Sequence, residues 1–242
     1  MSSMNFELLG ILLTLVLMAL TVALFILIDR REMLRLVKTF ALMGTQVAVL
    51  GGSVWIVFRV DTWWTHLLWV VAMLLLASAW CLRETGRQWK RLLLPVAAAM
   101  VAGILVGGGC LMLALPWHCF VPVTGVLLAH LMVAVTQTIQ TYERSLLHPE
   151  IHRRYLLANG ATRLESLLPC VRRALRASVQ PQLKTMAQPL IVAMPLLFAG
   201  MLLGGVSPAD SVVAVLLFAA AAFVTTVVAA VVAIAVLFRL SR

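Results

Sequence analysis

The chain has 242 residues, 63% of them hydrophobic and 12% charged, with a formal net charge of +10. A soluble domain is about half apolar and about a quarter charged, so a single water-soluble core cannot absorb this excess and lipid must be the solvent for most of the surface. The positive charge does not point to nucleic acid, because the cations are confined to alternate loops between apolar runs, which is a membrane-topology pattern.

The natural unit of counting is the span of about 20 apolar residues that crosses roughly 30 Å of hydrocarbon. Seven are predicted, at about residues 8–28, 36–58, 63–82, 92–115, 119–140, 186–205 and 210–238. Their runs are continuous and too long for the alternating strands of a membrane β-barrel. The fold class is therefore all-α: one polytopic transmembrane domain over residues 1–242. The first span lacks a basic segment before it and is longer than a signal-peptide core, so it reads as a retained helix.

The loops set the orientation. Arg30, Arg31, Arg35 and Lys38 follow span one, Arg83, Arg87, Lys90 and Arg91 follow span three, and a larger group from Arg144 to Lys184 follows span five. Of the 19 cationic residues, Arg59 alone falls on the other side. The positive-inside rule then places the N-terminus outside and the C-terminus in the cytosol. An integral protein of a bacterial inner membrane is expected, with membrane lipid as a partner and no nucleic acid. Short turns hold successive helices antiparallel, and Trp63-Trp64 and Trp117 suit the outer interface. Asp210 sits where a carboxylate favours a helix start. The cysteines show no CxxC pairing; Cys110 and Cys119 flank an outer turn, where a disulfide has room to form.

The stretch from Thr141 to Thr185 departs from the apolar pattern. "HPEIHRRYLLAN" reads as a short helix that begins at Pro149 and ends at Gly160. Beyond it Leu164, Leu168, Val171 and Leu175 recur at helical spacing, with Arg163, Arg172, Arg173 and Arg176 on the other faces. This is a cytosolic helix, Gly turn, helix. It suits either a surface helix attracted to anionic lipid or a docking site for a protein.

The chemistry is defined largely by what is missing. Each Asp and Glu lies in a loop or at a span end, and a mid-membrane carboxylate is what ion-coupled carriers often need. "GGSV" and "GGGC" carry no Gly-Lys-Ser/Thr, so there is no phosphate loop. HExxH and nucleophile-elbow patterns are absent as well. Most polar residues within spans suit interhelical hydrogen bonds. Gln46 and His130 are bulky, polar and flanked by apolar residues, so they should face a bundle interior or cavity. Met132 lies near His130 in sequence, and a His with thioethers suits a soft or borderline metal. Gly51-Gly52, Gly103 with Gly107-Gly108-Gly109, and Gly200 with Gly204-Gly205 are small surfaces that permit close helix contact, within one chain or between two. Pro95, Pro122, Pro189 and Pro195 can kink spans.

The order of these features resembles the FetB-type family of ABC-transporter permeases, which is associated with iron export. The likeness rests on "LLANGATRLESLLPCVRRALRASVQP" and "MPLLFAGMLLGGVSPADS", and more loosely on "VPVTGVLLAHLMVAV" and "GTQVAVLGG". The resemblance implies a cytosolic ABC ATPase subunit that binds ATP and magnesium, a second copy of this chain, and no cofactor or enzymatic activity in the chain itself. It makes Arg153, Arg154, Tyr155, Asn159, Gly160, Ala161, Thr162 and Arg163 the ATPase-coupling element. Gln46, His130, Met132, Gln137, Gln188, Met194 and Pro195 become candidates for the substrate pathway, with His130 a metal ligand. Three positions depart from the family pattern: Leu196-Leu197-Phe198 in place of Gly-Met-Met, His130 in place of a small residue, and Lys184 in place of an acidic one. These departures leave open a sugar-nucleotide, lipid-like or other small hydrophobic substrate, and the residues alone also allow a stand-alone carrier without an ATPase.

Overall fold

The structure is a computed structural model that describes residues 3–28, 30–86, 89–115, 119–147, 156–160, 162–189 and 195–240. Among these the secondary structure is all helical: α1 (Ser3–Ile28), α2 (Arg30–Val60), α3 (Trp63–Thr85), α4 (Trp89–Met112), α5 (Phe120–Leu147), α6 (Arg163–Met186), α7 (Leu196–Leu203) and α8 (Pro208–Leu240). The chain divides into two compact units, Met1–Thr62 and Trp63–Arg242.

In the first unit α1 and α2 pack on each other. The Leu9–Ala23 stretch of α1 is apolar, and its Leu12, Leu15 and Leu20 are exposed, as a lipid-facing helix requires. α2 carries its charges at its ends. Arg35 pairs with Glu32 at 2.6 Å near the start. At the other end the Arg59 guanidinium lies over the Trp55 ring, 4.9 Å from its centroid, a cation–π contact for the one cation that breaks the loop pattern. α2 stops where Asp61 takes a left-handed φ of 43°, a conformation that Asp tolerates better than most residues.

The second unit is a bundle of α3, α4, α5, α6 and α8, with the short α7 against α8. Its tightest seam joins α4 to α8. On α4, Ala99, Gly103, Gly107 and Leu111 fall four residues apart on one buried row. On α8 the facing row is Ala221, Thr225, Ala229, Ala233 and Leu237. A Cβ on Gly103 would meet Leu131 Cδ2 at 2.6 Å, and one on Gly107 would fall within 3.1 Å of Thr225 Cβ. The small rows let two backbones approach closely, the usual source of helix affinity in lipid, where hydrophobicity alone gives no preference. The Gly103–Gly107 surface is thus used within the chain. Leu131, Val135 and Ile139 of α5 complete the core with Leu92, Val96 and Met100 of α4.

Five helices are long and apolar enough to cross a membrane: Arg31–Val60, Trp63–Thr85, Lys90–Met112, Phe120–Leu146 and Pro208–Leu240. These match five of the seven predicted spans, and α1 coincides with a sixth. The predicted span at 186–205 is different. α6 ends at Met186, residues 187–189 and Pro195 are not helical, and α7 has only 8 residues. At 1.5 Å per residue α7 is about 12 Å long, too short to cross alone. Pro189 and Pro195 account for the interruption, because Pro lacks an N–H and disfavours helix in the residue before it.

α6 also differs from the expected surface helix. Ser166, Cys170, Ala174, Ser178 and Gln182 are buried at intervals of four residues, and the helix packs along α5 and α8. Cys170 Sγ donates to the Ser145 carbonyl at 3.3 Å. The expected apolar stripe at Leu168, Val171 and Leu175 lies at the edge of this contact, with Leu168 exposed. Small side chains won the interface because they allow closer packing than leucines. Cys81, Cys110, Cys119 and Cys170 are all free thiols, so the Cys110–Cys119 bridge is not formed.

Candidate functional site

Two features combine in the second unit: a turn at the start of α6 and a cavity at its end. At the turn, Leu156–Ala158 form a single helical turn, Gly160 N–H donates to the Leu157 carbonyl at 3.1 Å, and Gly160 takes φ of +84°. That left-handed conformation is open to Gly at no steric cost. Thr162 then caps α6. Its Oγ1 accepts from Glu165 N–H at 3.3 Å, and Glu165 Oε2 accepts from Thr162 N–H at 2.7 Å. This is the reciprocal capping box encoded by Thr-x-x-Glu, a signal present in "TRLE". The Thr162 backbone N–H first, and its hydroxyl second, hold the Glu165 carboxyl below its ordinary value. Asn159, Gly160 and Thr162 are exposed, as a docking element must be. Arg163 begins α6. Arg153, Arg154, Tyr155 and Ala161, named with them from the sequence, lie outside the described residues.

At the other end of α6 a cavity of about 380 Å³ opens between α5, α6, α7 and α8. α5 contributes His130 and Val133, α6 contributes Ser178, Gln182, Thr185 and Met186, and α8 contributes Phe218 and Thr226. Pro195 and Leu197 close it from the far side of the helix break. Thr226 Oγ1 donates to Gln182 Oε1 at 3.0 Å, both side chains being buried. The lining is mostly apolar, with neutral amide and hydroxyl groups and one imidazole. His130 is ten residues, about 15 Å, along α5 from Phe120. That is near half the depth of a bilayer core.

Irregular backbone at membrane depth is tolerated only where it is buried in protein or lines a cavity, and discontinuous helices are where transporters place their sites. Met186 on one side of the interruption and Pro195 on the other both line the cavity.

The structure brings His130 and Pro195 together at this cavity. Gln137 is half-buried two turns further along the His130 face of α5. Met132 faces elsewhere: it packs on the apolar core beside Met73 and Leu74, and its carbonyl accepts from Cys81 Sγ at 3.6 Å. His130 and Met132 therefore do not form a ligand pair; Met186 is the thioether in the described lining. Gln188 is exposed at the break, its N–H donating to the Thr185 carbonyl at 3.3 Å. Gln46 is exposed on α2 of the first unit, and Met194 lies outside the described residues. Among the described residues no three His, Cys, Asp or Glu side chains are grouped to hold a metal. Sequence reasoning missed Ser178, Gln182 and Thr185, which were read as part of a cytosolic loop. The four-residue spacing of small and polar residues from Ser166 to Gln182 was the available signal.

A helical bundle with several membrane-length apolar helices and a cavity at a broken helix defines an integral membrane protein of the transport class. The sequence profile described as "Uncharacterised protein family (UPF0014)" matches residues 8–240. The chain belongs to UPF0014, a family of ABC-transporter-like permeases. No curated protein and no solved structure matches the chain.

Proposed function

We propose that this chain is the membrane subunit of an ATP-driven exporter whose ATP is hydrolysed by a separate cytosolic ABC ATPase. The observation that supports it most is the course of α6. One helix of 24 residues, about 36 Å long, runs from the capped turn at Thr162 to the cavity at Gln182, Thr185 and Met186. α6 runs on through Pro169 and Pro181 without losing its helical course, so displacement at one end can be passed to the other. A partner that moves the Asn159–Thr162 turn would shift Gln182 against Thr226 and change access to the cavity. A reading with seven crossings, the sixth lying between α6 and α7, would put the turn in the cytosol, where the cations concentrate. Two copies of the chain would pair with two ATPases, and Arg153, Arg154 and Arg163 would face the ATPase.

The family resemblance suggests a transition metal such as iron as the cargo, and the cavity lining offers His130 and Met186 as its donors. A second reading is favoured by the lining itself: amide, hydroxyl and imidazole groups on apolar walls suit a small, largely apolar molecule with a hydrogen-bonding group. The experiment is export from cells that carry or lack the gene, across a panel of metals and apolar toxicants. Metal sensitivity of the deletion strain, reproduced in a His130→Ala strain, supports the first cargo; sensitivity confined to apolar compounds supports the second. Export that persists without any nucleotide-binding partner counts against the ATP-driven reading altogether.

A further inference from the structure

The geometry points to a binding site for one anionic phospholipid in the groove between α6 and α8, separate from the cavity and independent of how transport is driven. The groove has a volume of about 370 Å³ and is walled by Leu168, Val171 and Leu175 of α6 and by Val231, Ile234 and Phe238 of α8. Seven residues on each helix make its apolar body about 10 Å long. Its outer edge is open: Leu168 is 39% and Val231 49% exposed.

Arginines border the groove. Arg239, also in the lining, stands one residue beyond Phe238 at the end where α8 finishes and α6 begins. Along α6, Arg172 is exposed midway between Leu168 and Leu175, and Arg176 is exposed beside Leu175. Glu165, the acidic side chain at this end of α6, is already bonded to the Thr162 N–H. An apolar trough with a cationic mouth matches an acyl chain with a phosphate headgroup. The arginine stems can lie along apolar surface while their guanidinium groups reach the headgroup plane. Arg forks bind phosphate oxygens with two hydrogen bonds at once. A zwitterionic lipid offers the same chain but no net negative charge, so charge sets the preference.

The test uses the full chain, delipidated in mild detergent and titrated with phosphatidylglycerol or phosphatidylcholine of identical acyl chains, read by native mass spectrometry. One phosphatidylglycerol per chain is expected to be retained at least tenfold more tightly than phosphatidylcholine. Arg239→Gln, at an exposed position, should reduce that preference about tenfold, Val231→Trp should displace the lipid by filling the groove, and Arg59→Gln should change neither. Equal retention of the two lipids, or a preference unchanged in Arg239→Gln, overturns the proposal. So does loss of a chain-to-chain dimer in Val231→Trp with lipid retention intact, which would assign the groove to a second copy.

Discussion

Thr226 Oγ1 donates to Gln182 Oε1 at 3.0 Å across 44 residues of sequence, tying the end of α6 to the middle of α8 at the cavity wall. Inside a membrane such bonds contribute about 0.6–1.7 kcal/mol in double-mutant cycles. Thr226→Val and Gln182→Leu should therefore be non-additive by about that amount when unfolding is followed in bicelles. Additive effects would show that the bond contributes nothing to holding α6 in place.

The α4–α8 seam predicts a contrast between glycines. Gly107→Val places a side chain into Thr225 and should cost about 1–3 kcal/mol, the range for overpacked cores. Gly51→Ala and Gly52→Ala meet nothing within 4 Å and should melt like the parent protein. Thermal unfolding in detergent distinguishes the three.

The cap of α6 predicts a pH signature. Glu165 is held below its ordinary value by the Thr162 N–H and hydroxyl, so its bond favours the folded cap most fully above the unfolded carboxyl value. The contribution is lost as pH falls through the lower folded value. The Glu165 carboxyl carbon, followed by NMR, should titrate below an unbonded glutamate in the parent and return towards it in Thr162→Ala. Thr162→Ala keeps the backbone N–H, so identical midpoints in the two proteins would show that the hydroxyl contributes nothing to the shift. Separately, losing the Thr162 cap should destabilise the start of α6 by about 0.5–2 kcal/mol, read as faster amide exchange at Ser166 and Leu167.

Gly160 predicts a specific substitution pattern. At φ of +84° a residue with a Cβ costs about 1–2 kcal/mol, with Asn better tolerated than most. Gly160→Val should impair ATP-driven transport while the protein still accumulates in the membrane, and Gly160→Asn should retain more activity. Equal activity in both would make the turn a passive connector.

The apolar helices were legible in the sequence because lipid imposes a single rule on every residue of a span. α3, α4 and α8 begin and end within about three residues of the hydropathy reading, while α2 starts six residues earlier and α5 ends seven residues later. The use of Gly103 and Gly107 was not legible, since a small residue marks close approach without naming its partner. α6 was misread for a related reason. Its arginines suggested a surface helix, while its contact face of Ser166, Cys170, Ala174 and Ser178 carries little hydropathy signal. Gln182 was hidden with it. His130 was found because an imidazole among apolar neighbours stands out, and the separation of His130 from Met132 depended on which core α5 meets. "PLIVAMPLLFAG" has the composition of a span, yet its two prolines, Pro189 and Pro195, are themselves not helical.

The central claim is that movement of the Asn159–Thr162 turn, driven by a separate ATPase, reaches the cavity through α6. The most direct measurement is ATP hydrolysis by the chain reconstituted in nanodiscs with its nucleotide-binding partner, alongside the distance between spin labels placed at Thr185 and Ala219 in a background free of native cysteines. The account predicts that this distance changes on ATP binding in the parent and stays fixed in Gly160→Pro while the ATPase remains bound. An equal ATP-driven change in both proteins, or cargo transport by the chain with no ATPase present, would contradict it.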